Sequence, residues 1–100
     1  YNLNENPVEV YGGISPNGDG INDVLVIRNI FKYSNNEIVI FNRLGQVVYK
    51  VNGYGQNGNF FRGVSNSGKE LAADVYFYQL KVETNNGESF IKKGFIHINR

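Results

Sequence analysis

A long alternating segment near the end of the chain constrains the fold most. From residue 75 to residue 84, apolar side chains recur at every second position, and one face of the segment turns polar while the other stays apolar. This period of two is typical of a strand with one buried face. Asn85-Asn86-Gly87 follows, which is a strong signal for a hairpin turn. Residues 88–98 are therefore predicted to return antiparallel, with a bulge at Gly94.

The composition favours strands throughout the chain. Val and Ile number 20, against 7 for Leu and Ala together, and 14 residues are Phe or Tyr. β-Branched and aromatic side chains pack well on a pleated sheet. The 12 Gly and 16 Asn residues suit tight turns, and no segment shows the 3.6-residue period of a helix. The sequence thus predicts an all-β protein.

The remaining strands are predicted from short apolar runs between turn residues. They cover residues 8–11, 24–30, 37–42 and 46–51, with a further short strand at residues 60–64. Arg43-Leu44-Gly45 is predicted to be a three-residue hairpin loop in which Gly45 adopts a positive φ. The expected fold is a two-layer antiparallel β-sandwich of immunoglobulin-like size, with about seven or eight strands.

The core of this sandwich and the limits of the domain are also predicted. The apolar residues expected in the core are Ile38, Ile40, Phe41, Val47, Tyr76, Tyr78, Leu80 and Ile96. Residues 1–7 are polar and end at Pro7, so they are interpreted as a lead-in to a domain that covers residues 8–100. Because the chain opens without a visible signal peptide, we expect it to be part of a longer protein.

Charge and residue usage argue against several function classes. The 10 basic and 9 acidic residues give a net charge of +1, without the strongly basic face of a nucleic-acid binder. The lack of Cys excludes thiolate catalysis and Cys-ligated metals. His97 is the single histidine and has no evident nucleophile as partner, and no glycine-rich segment precedes a helix that could bind phosphate. We therefore expect no enzyme activity and no small-molecule substrate.

A loop rich in Asn, Asp and Gly, residues 17–23, carries the sharpest local signal. Calcium prefers about six to eight oxygen ligands on a tightly turned loop. The candidate ligands, two carboxylates, one amide oxygen and one backbone carbonyl, are Asp19, Asp23, Asn17 and Ile21. They match only half of the helix–loop–helix calcium pattern, so a distant acid such as Glu9 or Asp74 would have to complete the site. The alternative is a metal-free double turn in which these side chains bond their own backbone.

An aromatic group lies in the segment richest in Gly. Tyr54, Phe60 and Phe61 could stack on sugar rings, or they could fold back over the open end of a small sandwich. The absence of Trp from the chain favours the second interpretation.

A basic group lies at the end of the chain and consists of Lys92, Lys93 and Arg100. Residues 28–100 together carry a charge of +5, whereas residues 1–27 hold four acids and no base. The group either protects an edge strand from aggregation or forms a docking surface for a partner.

Five stretches, in the correct order, resemble one known family. SPNGDGINDV at residues 15–24 resembles the opening of the type B C-terminal domain of type IX secretion cargo, also called the gliding motility-associated C-terminal domain of Bacteroidetes. The other four resemble its hairpin, its recurring Gly-Tyr, its Tyr strand and its terminal stretch, and they are IVIFNRLGQVVYK (38–50), Tyr54, VYFYQLKV (75–82) and KKGFIHINR (92–100). In departures from the family pattern, Leu44 and Phe61 stand where Trp is usual, Arg62 where Asp is common, and Asp74 where Gly is usual.

The resemblance implies a sorting domain at the C-terminus of a larger cargo protein, either an adhesin or a secreted enzyme. The type IX machinery recognises such domains once the cargo reaches the periplasm. The domains then direct the cargo across the outer membrane to the cell surface or beyond. A dedicated outer-membrane partner protein is also implied, and a catalytic role is not. On this interpretation Lys92, Lys93 and Arg100 are docking residues. The alternative is an accessory adhesive or carbohydrate-binding β-sandwich.

Overall fold

A computed structural model describes residues 8–16, 23–33, 35–56, 58–84 and 87–99. Within them lie one short 3₁₀-helix, Ile30–Lys32, and seven strands: β1 (Glu9–Val10), β2 (Gly13–Ile14), β3 (Ile27–Arg28), β4 (Asn36–Phe41), β5 (Val47–Asn52), β6 (Asp74–Glu83) and β7 (Ser89–Ile98). Across these described segments, no helix has the length and apolar character that crossing a membrane requires.

The strands form two sheets. Five of them make one sheet in the order β2-β7-β6-β4-β5, and β1 pairs with β3 in a two-stranded ribbon. The pairs are antiparallel except for β2 and β7, which run parallel. The ribbon and the loops around Tyr54 and Phe61 belong to the same hydrophobic core as the five-stranded sheet. The predicted all-β sandwich is confirmed.

Alternation along the strands decides which residues enter the core. Ile38, Ile40, Leu80 and Ile96 are completely buried and lie on one face of the large sheet. The prediction of Phe41 and Val47 as core residues was wrong. Phe41 follows Ile40 directly, so its side chain points to the opposite face, and its cross-strand partner Val47 is 55% exposed.

The hairpin of β6 and β7 is the longest element and has an unbroken register. Ten residue pairs join the strands, from Asp74 with Ile98 to Glu83 with Ser89. The predicted bulge at Gly94 is therefore wrong, and the irregularity lies between Ile40 and Phe41 on the β4–β5 pair instead. Gly94 has another role, because a Cβ atom there would lie 2.8 Å from the ring of Tyr78 on the opposite strand.

The two tight turns follow their sequence signals. In the β4–β5 hairpin, Gly45 adopts a φ of 81°, as predicted, and its amide donates to the carbonyl of Asn42. The side-chain oxygen of Asn42 accepts from the amides of Leu44 and Gln46, which fixes the loop from inside. In the β6–β7 turn, Gly87 adopts a φ of 82°.

Two predicted strands are shorter than expected or absent. Only Ile27 and Arg28 of residues 24–30 form a strand, because Asn29 adopts a left-handed φ of 67° and the 3₁₀-helix begins at the next residue. Residues 60–64 form no strand, although Val64 makes an isolated bridge to Glu70. The amide of Leu25 donates to the carbonyl of Phe61, so these two segments meet through a loop contact rather than a ladder.

Candidate docking surface

The aromatic loop belongs to the core and not to a sugar-binding platform. Tyr54 is 1% exposed and Phe61 is fully buried. The Tyr54 hydroxyl donates to the carbonyl of Leu25 at 2.6 Å and accepts from the amide of Phe61 at 2.9 Å. Phe60 alone of the three rings is exposed, and the guanidinium of Arg62 lies 5.8 Å from its centre. The interpretation that these rings fold back over the sandwich therefore agrees with the structure.

A buried asparagine, which the sequence did not single out, holds this loop in place. Asn36 is 5% exposed, and its side-chain oxygen accepts from the amide of Tyr54 while its amide group donates to the carbonyl of Tyr33. Its backbone carbonyl accepts from Gly53. Asn36 begins β4, so a single side chain joins the large sheet to both loops that cover it.

The basic residues at the end of the chain divide between the two faces of the sheet. Lys93 is exposed on the outer face, opposite Gln79, whereas Lys92 is half-buried on the inner face, opposite Leu80. Neighbouring residues of a strand always point to opposite sides. The two lysines therefore do not form one patch, and Arg100 lies outside the described residues.

The outer face of the large sheet carries an apolar row that crosses four strands. Val47, Phe41, Phe77 and Phe95 are successive cross-strand partners on β5, β4, β6 and β7. Phe77 is 46% exposed and Phe95 is 57% exposed. Phe41 is half-buried and Val47 is exposed. A contiguous row of large apolar side chains with this exposure is typical of an interaction surface rather than of ordinary surface scatter.

A second row, which is basic, runs beside the apolar one. It contains Lys50, Val39, Gln79 and Lys93 as cross-strand partners on the same four strands. The row holds two cations and no carboxylate, and Lys50 and Lys93 are both exposed. These two rows are thus apolar and cationic, which favours an acidic partner with apolar side chains at this part of the face. The next row along the face is mixed in charge, because Glu37 pairs there with Lys81.

The two edges of the large sheet differ. At the β5 edge, Asn66 makes the hydrogen bonds that a neighbouring strand would make. Its side chain accepts from the amide of Lys50 at 2.7 Å and donates to the Lys50 carbonyl at 3.1 Å. The backbone amide of Asn66 donates to the carbonyl of Val48. At the β7 edge, β2 pairs only with His97 and Ile98. Within the described segments, no strand pairs with this side of β7 between Ser89 and Ile96.

Most of the predicted calcium ligands cannot be placed. Asn17, Asp19 and Ile21 lie outside the described residues, and Asp23 is half-buried with an interaction partner of its own. Asp74, considered as a distant ligand, accepts from the amide of Val75 and lies 3.7 Å from Arg43. Among residues that the structure describes, no three His, Asp or Glu side chains gather around a common point. The calcium site stays a prediction.

Burial raises the pKa of three tyrosines. The effect is largest for Tyr54, where desolvation outweighs the opposing hydrogen bond from Phe61. Desolvation also raises the pKa of Tyr78 and of Tyr49, in the latter case against the attraction of Arg62. These three tyrosines are therefore kept neutral, and they contribute to the fold by packing or hydrogen bonding. His97 is exposed on the outer face, with its ring edge against Phe95.

Comparison with known proteins decides the family. Residues 8–98 match the model of the CHU_C type IX secretion signal domain. The chain belongs to this family. The predicted resemblance to the type B sorting domain of type IX cargo is thereby confirmed. A search of curated proteins gives no match.

The fold of this type IX signal domain is also similar to that of a solved structure. The crystal structure of CopC from Methylosinus trichosporium OB3b is similar to 91% of this chain and 85% of its own, with a TM-score of 0.57. Sequence identity is 15%, so the likeness concerns the β fold alone.

Membership of the signal domain family fixes the coarse role. A type IX secretion signal marks the protein that carries it for export by the type IX machinery, toward the cell surface or the extracellular space. The family is not a catalytic one.

Proposed function

We propose that the domain is the C-terminal sorting signal of a larger cargo protein, an adhesin or a secreted enzyme, and that it acts without catalysis. The observation that carries this proposal is the family match over residues 8–98, which spans the whole sandwich from Val8 to Ile98. The route would lead from the periplasm through the outer membrane, with a dedicated outer-membrane partner that binds the folded domain.

Recognition of a folded domain needs exposed groups that are not required for folding. Lys93 meets this condition because it is exposed on the outer face, in a row that holds one other cation, Lys50. Lys92 meets it less well because it is half-buried beside the core. We propose Lys93 as the main charged docking residue, with Lys92 and Arg100 as the other members of the basic group at the end of the chain.

The test is export of a reporter. Residues 1–100 are fused behind a fluorescent protein that carries an export signal, and secretion is followed in a host with the type IX system and in a host that lacks it. We expect the reporter in the medium or on the cell surface in the first host and in the periplasm in the second. A reporter that stays in the periplasm of both hosts would contradict the sorting role.

A charge reversal tests the docking residue in the same assay. Lys93→Glu should reduce export, and it should leave the melting temperature nearly unchanged because exposed charges contribute about 0–1 kcal/mol to stability. Lys69→Glu makes the same charge change at an exposed loop position and is the matched control. Equal export of the two variants would contradict docking through Lys93.

A further inference from the structure

The edge of β7 that no strand of the described segments covers presents backbone groups in a regular pattern. The amides of His97 and Asn99 donate to the carbonyls of Gly12 and Ile14, so these residues direct their backbone groups away from β6. In an antiparallel pair, every second residue directs its backbone groups to the same side. Ile91, Lys93 and Phe95 therefore direct theirs outward as well, along the part of the edge that β2 does not reach.

The side chains of these same residues end the rows of the outer face. Phe95 is the last member of the apolar row, and Lys93 is the last member of the basic row. Ile91, which is 54% exposed, lies two residues before Lys93 in β7. An incoming strand would thus meet an apolar, a cationic and an apolar side chain at successive alternate positions.

We propose that an extended strand of the receiving partner in the export machinery adds to the β7 edge, with a carboxylate opposite Lys93 and apolar side chains opposite Ile91 and Phe95. This inference rests on the proposed sorting function and names the chemistry of its partner. Main-chain bonds supply affinity in such strand addition, and alternate side chains supply specificity. The partner strand would extend the apolar row of the sheet by one member.

Two observations favour this occupant over a second copy of the chain. If two β7 edges paired antiparallel with Ile91 beside Phe95, Lys93 of one copy would face Lys93 of the other, and like charges directly opposite are destabilising. The β5 edge could not readily pair with the β7 edge of a second copy either, because Asn66 of the same chain already bonds to the backbone of β5. The sheet is therefore protected at one edge and selective for an acidic strand at the other.

The substitution Lys93→Pro tests the edge without breaking the hairpin. The Lys93 amide points outward, so Lys93→Pro removes a donor that the β6–β7 ladder does not use and places the ring where the new strand would lie. Lys93→Ala is the matched control, because it removes the charge and keeps the amide. We expect both variants to fold, Lys93→Ala to lose part of the reporter export, and Lys93→Pro to lose most of it.

A second pair of variants covers the case in which Lys93→Pro does not fold. Ile91→Lys combined with Phe95→Lys changes two exposed side chains of the edge and should also remove most of the export. Leu44→Lys, at a hairpin tip that is 84% exposed, is the control and should leave export unchanged. Melting curves verify that each variant is folded.

The outcomes separate this inference from the proposed function. If the wild-type fusion is not exported, the sorting role itself fails. If the wild type is exported and the folded proline and lysine variants are exported equally well, the edge inference is overturned. It is also overturned if Lys93→Ala and Lys93→Pro lose the same fraction of export, since charge alone then acts. A wild type that is dimeric and a Lys93→Pro variant that is monomeric would assign the edge to a second copy instead.

Discussion

The hydroxyl of Tyr54 lies between two loops and bonds to both, donating to the carbonyl of Leu25 and accepting from the amide of Phe61. These loops lie 29 residues before and 7 residues after it in the chain. The second layer of the sandwich has few ladder bonds, because its ribbon consists of two-residue strands. One phenol therefore replaces part of the hydrogen bonding that a longer strand pair would supply.

Replacing Tyr54 by Phe should destabilise the domain although the ring is kept. Two buried backbone groups, at Leu25 and Phe61, lose their bond to the hydroxyl, and an unsatisfied buried group costs about 1–3 kcal/mol. Urea unfolding measures the loss. Tyr11→Phe is the control, since Tyr11 is 44% exposed, and equal midpoints for the two variants would contradict the role of the hydroxyl.

Stability should fall at alkaline pH. The pKa of Tyr54 is raised by burial, so its neutral form is favoured in the folded state. This contribution is fully present below the unfolded pKa of about 10 and is lost as the pH rises toward the folded pKa, at no more than about 1.4 kcal/mol per pH unit per tyrosine. The midpoint of urea unfolding is measured from about pH 8 to about pH 11, a range that spans the unfolded pKa. It should decline more steeply with pH for the wild type than for Tyr54→Phe. Parallel curves would contradict this.

Gly94→Ala should destabilise the central hairpin. A Cβ atom at residue 94 meets ring atoms of Tyr78 at 2.8 Å, so the ring has to move within a packed core. Overpacking of this kind costs about 1–3 kcal/mol. In Gly12→Ala the new methyl group has no heavy atom within 4 Å, and this variant should keep the wild-type melting temperature. A stable Gly94→Ala would show that the Tyr78 ring yields freely.

Asn66→Ala should expose the β5 edge. The variant loses two side-chain bonds to Lys50, each worth about 0.5–1.5 kcal/mol or less at an exposed site. We expect a small drop in melting temperature and more aggregation, measured by light scattering, because an unpaired edge is a template for further strands. Asn66→Asp keeps the acceptor and loses the donor, so its aggregation should be intermediate. No increase for either variant would mean that the edge is protected by other means.

Calcium should raise the melting temperature if the predicted ligands of the acidic loop bind it. A ligand that binds only the native state stabilises it by mass action. Asp19→Ala should abolish the rise, and Glu88→Gln, a change at an exposed acid of the β6–β7 turn, should not. Identical melting curves in millimolar calcium and in chelator would leave the metal-free double turn as the description of this loop.

The two hairpins of the large sheet were predictable because their signals are local. Gly45 follows its loop sequence directly, and the alternation of residues 75–84 places the buried face of β6 correctly. The second layer was not predictable in the same way, since Asn36 and Tyr54 bind partners that are distant in sequence. The apolar aromatic residues favoured a strand around Phe61. Long-range hydrogen bonds to other loops determine the backbone conformation there instead.

The docking surface was predictable from the sequence only in part. Lys92 and Lys93 were grouped because they are adjacent in sequence, although alternation alone would have separated them. The apolar row through Phe41, Phe77 and Phe95 depends on the register of three strand pairs. No single segment of sequence contains that register.

The parallel pairing of Gly13 with His97 gives the signal a second property. It joins residues near the two ends of the sandwich, and β7 lies between β2 and β6. A polypeptide cut short before residue 97 would lose this closure together with the last two pairs of the β6–β7 ladder, Val75 with His97 and Asp74 with Ile98. The complete sheet therefore forms only when the chain has been synthesised through β7. Export machinery that binds only the complete sheet would not export prematurely terminated products.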